Sequence, residues 1–214
     1  MQNVTERSRH AAPGGRPQPL AFNGTTLWAG SWDTNSLFAI DPKTWTVTDE
    51  VAAPGKPYGI AVTGAEMRVV VAIGEEEDRY HFRFHPGKGF DESSKTACPD
   101  FTGSHLAFDG KTLYMAQMGL RRIVTLDDAG TIVREIALPT RIAGMGFGPA
   151  GFYLISGDEE WENLKLATFD IASNDPKLAP IAAIPFDGAR ALAYDGSAWW
   201  TSDREVSEIV SFTT

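Results

Sequence analysis

Leu20-Ala21-Phe22-Asn23-Gly24-Thr25-Thr26-Leu27-Trp28 reads as a short apolar strand, a tight turn and a second apolar strand. Asn-Gly supplies the positive φ that a tight hairpin needs, so the two runs are expected to pair with each other. The unit recurs. Its first strand returns as Ile60-Ala61-Val62, Leu106-Ala107-Phe108, Met145-Gly146-Phe147 and Leu192-Ala193-Tyr194. With the third residue of each as anchor, the copies stand at 22, 62, 108, 147 and 194, at intervals of 40, 46, 39 and 47 residues. Such a period is the length of a four-stranded propeller blade.

Working outward, Asp109-Gly110, Gly148-Pro149 and Asp195-Gly196 repeat the turn after the anchor. The second strands are Leu27-Trp28-Ala29, Val69-Val70-Val71, Leu113-Tyr114-Met115, Phe152-Tyr153-Leu154 and Trp199-Trp200-Thr201. They are apolar on both faces, which suits strands packed between neighbouring blades rather than a one-sided surface sheet. Third strands align through residues 38–41, 82–85, 124–127, 167–170 and 210–213, and fourth strands are visible at Thr46 to Val51 and Thr131 to Leu138. The last copy reaches Thr214 after three strands. Its missing edge is expected from the amino terminus, because Val4-Thr5-Glu6 and Ala11-Ala12-Pro13-Gly14 echo Val47-Thr48-Asp49 and Ala52-Ala53-Pro54-Gly55. The expectation is therefore an all-β chain: one five-bladed β-propeller over 1–214, with four-stranded antiparallel blades and a ring closed by a strand over about 3–11. A sandwich of the same strands would not require a near-constant period. Asp158 to Lys165 could form one helical turn, and no other stretch shows helical periodicity.

Nineteen Lys and Arg against twenty-eight Asp and Glu give a net charge of −9, a field that repels the backbone of DNA or RNA. The one cysteine, Cys98, rules out an internal disulfide and a thiolate metal cluster. There is no apolar run of eighteen residues and no signal-peptide pattern at the first residues. A soluble, cytosolic protein without a membrane partner is the expectation.

In a propeller, the loops entering the first strands share a face with the loops between second and third strands, and ligands bind there. Six residues before the anchors stand Arg16, Lys56, Thr102, Arg141 and Gly188; four before stand Gln18, Tyr58, Ser104, Ala143 and Arg190. The opposing loops carry Asp33, Glu75 to Asp78, Asp158-Glu159-Glu160, Asp203 and Glu205, with Trp32 and Trp161 between them. On an acidic chain the first set is a local basic cluster. Arg16, Arg141 and Arg190 offer guanidinium forks for a carboxylate or phosphate, with Gln18, Trp32, Tyr58 and Asp203 lining the site. Cross-blade ion pairing is the competing role for each arginine. His105, where other copies have Pro19, Gly59, Gly144 and Ala191, is the candidate for proton transfer, with Asp33 or Asp158 as its acid or base partner. His81 and His85 read as structural.

No cofactor motif, nucleophile elbow or phosphate-binding glycine loop occurs. Asp33, Glu76, Asp78, Asp158 and Asp203 are oxygen ligands that a divalent metal could recruit, at no spacing that matches a known motif.

The repeat, through Leu20 to Trp28 and Asp41-Pro42-Lys43-Thr44, resembles the propellers of glutamine cyclotransferases, virginiamycin B lyases and the gluconolactonase group. The glutamine cyclotransferases fit best in length and blade count. Their Phe-Thr-Gln-Gly-Leu corresponds to Arg16-Pro17-Gln18-Pro19-Leu20, which keeps Gln18. Their glutamate in Phe-Gly-Glu-Gly becomes Tyr58 in Lys56-Pro57-Tyr58-Gly59, and Ser104 stands where a tryptophan is expected. The resemblance implies the fold, while these departures remove the carboxylate its cyclase chemistry uses. Three functions remain open: binding or conversion of an anionic metabolite, a protein-interaction scaffold presenting an acidic rim, and a metal-assisted lactonase or lyase.

Overall fold

Adjacent large apolar residues on a second strand need two different cores. Trp199 packs with Tyr153 and Leu166, whereas its neighbour Trp200 packs with Leu27 and Ile40. Only a sheet sandwiched between two others accommodates both. The computed structural model, which describes residues 1–158, 160–173 and 175–214, shows five such sheets arranged in a ring.

The chain opens with β1 (Thr5–Ala11). Blade one follows as β2 (Pro17–Phe22), β3 (Leu27–Ser31), β4 (Ser36–Asp41) and β5 (Thr46–Ala52). Blade two comprises β6 (Lys56–Thr63), β7 (Glu66–Ile73), β8 (Asp78–His85) and β9 (Gly89–Ala97). Blade three has β10 (Leu106–Phe108), β11 (Leu113–Gln117), β12 (Arg122–Leu126) and β13 (Ile132–Ala137), and blade four has β14 (Arg141–Gly148), β15 (Gly151–Gly157), β16 (Lys165–Phe169) and β17 (Leu178–Ala183). Blade five is β18 (Ala189–Tyr194), β19 (Trp199–Asp203) and β20 (Glu208–Thr213), completed by β1 in the order β1-β20-β19-β18. All ladders within the blades are antiparallel.

The chain is thus the expected five-bladed propeller. Closure runs from Thr5 opposite Thr213 to Ala11 opposite Glu208. Asn3 lies outside that strand and instead forms a parallel bridge to Ala183 of blade four, so the amino terminus ties two blades. Buried Val4 joins the core between blades four and five. Residues 160–164 form turns and extended chain rather than the expected helical turn, with Trp161 N–H donating to the Asp158 carbonyl.

Five apolar cores occupy the five blade interfaces. The seam between blades five and one thus has an apolar core of its own, as the other four do. Burying a side chain such as Phe84 or Phe212 contributes roughly 1.5–3 kcal/mol, and no blade could do so alone.

Near the axis there is little room for side chains. A Cβ on Gly59 would overlap the Ser104 carbonyl oxygen, and one on Gly144 would come within 2.5 Å of the Ala191 carbonyl carbon. These residues form the constriction that Pro19, Gly59, His105 and Ala191 line, around a space of only 10 Å³. The channel is plugged at this level, dividing an upper mouth from a lower one.

Candidate functional site

What positions the upper mouth is a break in register. The ladders between inner and second strands shift between Pro17 and Leu20, Pro57 and Gly59, Ile142 and Gly144, and Arg190 and Ala193. In blade three, β10 begins only at Leu106, and Ser104 N–H and the His105 carbonyl bond across to Ala116. An irregularity of this kind re-aims the side chains beside it. The residues so placed include Gln18, Tyr58, Ser104 and Arg190, all buried.

Arg190 is only 7% exposed, yet it hydrogen-bonds to its own neighbour, Nη1 donating to the Ala189 carbonyl at 2.7 Å. The guanidinium carbon lies 4.9 Å from the Trp161 ring centroid. Among the described residues, no carboxylate oxygen lies within 4 Å of it. Burial, reinforced by the positive charge of Arg204, lowers its pKa to about 10, with Glu205 and Asp203 opposing from farther away. Arg204 is its counterpart. Its Nη1 donates to Gln18 Oε1 at 3.0 Å, its guanidinium carbon stands 4.7 Å from the Trp32 ring centroid, and burial also lowers its pKa. Trp32 is itself fixed, donating from Nε1 to the Pro57 carbonyl at 2.7 Å and packing 4.5 Å from the Tyr58 ring. Two desolvated guanidiniums, each backed by an indole, therefore stand at the mouth with no carboxylate partner among the described residues.

His105 closes the floor. It is 3% exposed, its Nε2 has no hydrogen-bond partner among the described residues, and burial together with Arg190 and Arg204 drives its pKa down to about 3. At neutral pH it is an uncharged imidazole. Tyr58 differs: its hydroxyl donates to Glu77 Oε2 at 2.7 Å, while the Arg79 guanidinium lies 3.6 Å over its ring. Burial and then that bond raise the phenol to about 12. Glu77, held low chiefly by its bonds from Lys56 and Tyr58, ties this group together.

The other sequence candidates are more peripheral. Arg16 pairs with Asp33, both on the exposed rim, so neither is available to the floor. Asp158 caps its own loop, accepting from Glu162 N–H at 2.7 Å and Asn163 Nδ2 at 2.9 Å. Neither carboxylate hydrogen-bonds to His105, so the expected acid and base set is not assembled here. Asp203, buried at the end of β19, accepts from Arg9 of β1 at 3.3 Å and fastens the closing strand. Arg141 stacks 5.5 Å from the Trp161 centroid, on the ring that Arg190 also uses. Glu159 lies outside the described residues. Among those described, no three His, Cys, Asp or Glu side chains converge as a metal-binding group.

Sequence reading passed over Arg204. It lies between Asp203 and Glu205, in what reads as an acidic loop; the signal available was its place just past the end of a second strand, where Trp32 and Met118 stand in other blades.

Above this floor, a 570 Å³ cavity is bounded by Trp161, Asn163, Arg190 and the carboxylates of Glu160, Glu162, Asp187 and Glu205. A second space of 360 Å³ lies between blades two and three, against Tyr58, Glu77, Arg79 and Ser104.

No protein-family model matches the chain, and neither does any curated protein. Solved structures do. Kuenenia stuttgartiensis hydrazine synthase shares 22% identity at a TM-score of 0.54, over 90% of this chain and 57% of that one, so the chain spans little more than half of that protein. Virginiamycin B lyase from Staphylococcus aureus matches at 12% identity and a TM-score of 0.53, over 97% and 98% of the two chains. Myxococcus xanthus glutaminyl cyclase matches at 11% and 0.50, over 72% and 91%. The chain is a five-bladed β-propeller similar in fold to the lyase and cyclase propellers that its repeat resembles. At these identities the likeness concerns the fold and not the chemistry. No helix among the described residues is long and apolar enough to cross a membrane.

Proposed function

We propose that this propeller binds a small organic anion, a carboxylate or phosphate, in the upper mouth, with Arg190 and Arg204 as its anchors. The observation that carries the reading is Arg190, a buried guanidinium with no carboxylate of the described residues within ion-pairing distance. A buried charge is costly when unpaired, and a ligand carboxylate would supply the missing partner through charge-assisted hydrogen bonds. Trp161 and Trp32 back the two cations and offer flat apolar walls to the rest of the ligand. Gln18 orients Arg204. Neutral His105 serves as a hydrogen-bonding floor rather than as a second positive charge. Proton transfer between His105 and Asp33 or Asp158 has no support in their hydrogen bonding, so binding is the primary activity proposed. A cytosolic setting belongs to the same proposal, since Cys98 is unpaired and buried.

Thermal unfolding against carboxylates, lactones, sugar phosphates and divalent ions tests this reading. At least one organic anion should raise the midpoint in a dose-dependent way, and Arg190→Gln should abolish the shift. A shift from divalent ions alone, or from nothing in the panel, contradicts it.

A further inference from the structure

On the lower face, between blades two and three, lies a 240 Å³ cavity that the upper site does not use. Thr63, Glu66, Arg68 and His81 line it from blade two, and Phe108, Lys111, Asp127 and Asp128 from blade three. His81 belongs to the interior of β8, opposite Val70 and Thr96, where other blades carry Leu37 or Ile123. It is 3% exposed and neither ring nitrogen has a hydrogen-bond partner among the described residues. Arg68 Nε is also buried without a hydrogen bond, since Glu66 Oε1 at 3.4 Å forms an ion pair but no aligned bond. Leaving a buried polar atom unsatisfied costs about 1–3 kcal/mol, so three beside one cavity call for an occupant.

We infer that this cavity is a binding site for a neutral polyhydroxylated ligand about the size of one sugar ring. An uncharged imidazole presents one N–H and one lone pair, so its partners must include both an acceptor and a donor. Burial, then the charge of Arg68, keeps His81 in that uncharged form by lowering its pKa to about 4. A fully deprotonated anion such as sulfate has only acceptors to offer, and a metal ion offers no acceptor at all. A hydroxyl offers both. The walls point the same way: Arg68 and Lys111 donate, and the carboxylates of Glu66, Asp127 and Asp128 accept, a mixture that opposes a net charge. Asp127 Oδ1 already takes N–H groups from Ala129 and Thr131, which fixes the rim, and Phe108 gives an apolar face for the C–H side of a sugar ring.

The test is titration of the imidazole nitrogens of His81 by NMR with D-glucose, D-galactose, D-xylose and myo-inositol, and with sodium sulfate as the anionic comparison. Saturable movement of both nitrogens with at least one of the four polyols is expected. It should persist in Arg190→Gln, which separates this site from the upper mouth. Affinity should fall at least tenfold in both Lys111→Met and Asp128→Asn, two exposed positions whose replacement leaves the fold intact. The inference is overturned by the absence of movement with every polyol, by movement with sulfate alone, or by equal affinity in both variants.

Discussion

The same five inner strands make both mouths of the channel, and they make them differently. Below the constriction they repeat: the large side chains of Phe22, Val62, Phe108, Phe147 and Tyr194 line a vestibule of 160 Å³. Above it they diverge into Gln18, Tyr58, Ser104, Ala143 and Arg190, with charge that is only partly compensated. The lower end obeys the packing demands common to all blades. The upper end begins where the register breaks, and there each blade is free to carry a different side chain. Repetition marks the scaffold, and the loss of repetition marks the site.

The largest effect should come from attacking what both ends share. Deleting residues 1–11 removes β1 and Val4, exposes the edge of β20 and opens the ring. Loss of a cooperative thermal transition, with aggregation seen by light scattering, is expected. A variant that melts cooperatively near the wild-type temperature would mean that closure is dispensable.

Gly59→Ala comes next, because its Cβ would overlap the Ser104 carbonyl oxygen at the boundary between the mouths. Denaturant unfolding should show a loss of about 3 kcal/mol, the upper part of the usual range for overpacking. Gly119→Ala, whose Cβ meets nothing within 4 Å, should change stability by less than about 0.5 kcal/mol. Equal effects would refute the tight axis.

A smaller, pH-dependent effect sharpens the contrast between the His105 floor and the exposed rim. His105 titrates at about 3 when folded against an ordinary 6.5, so the unfolded chain binds a proton that the folded chain refuses. Stability is full above about pH 6.5 and is lost as pH falls towards 3, at up to about 1.4 kcal/mol per pH unit. His81 adds a similar slope down to about pH 4. Asp203, raised by burial, acts in the opposite sense just above the ordinary carboxylate range. Denaturant unfolding between pH 6 and 5 should therefore show His105→Gln with about half the wild-type slope; an unchanged slope would mean that His105 is not buried as described.

The smallest effect is expected on the rim. Arg16→Ala breaks an exposed pair with Asp33 and should cost less than about 1 kcal/mol in chemical denaturation, with anion affinity unchanged within about twofold. A tenfold loss of affinity would move the site from the floor to the rim.

This contrast also explains what could be read from the sequence. Apolar strands at a fixed period are a property of the chain, so the blades, their order and the closure by β1 were legible. Outer strands β9 (GFDESSKTA) and β17 (LAPIAA) were not, because an exposed edge places little demand on side-chain type. Rows six and four before the anchors did identify the upper face. Which arginine keeps an unmatched charge was not legible, since pairing depends on how loops fold back: Arg16 meets Asp33 seventeen residues on, and Asp203 meets Arg9 across the closure. The adjacent Arg204 goes instead to Gln18, and a string of letters does not distinguish the directions of neighbouring side chains at the end of a strand.

Arg190 carries a buried charge that no carboxylate among the described residues matches. Calorimetric titration of wild-type protein and Arg190→Gln with the organic anion that most raises the unfolding midpoint tests it most directly, alongside the unfolding free energy of each without ligand. Saturable one-site binding by wild type is expected, with at least a hundredfold loss in Arg190→Gln and a ligand-free variant more stable by about 1 kcal/mol because the lone buried charge is gone. Equal affinity in the two proteins, or a variant destabilised by several kcal/mol, would show that Arg190 is a structural cation already matched within the fold.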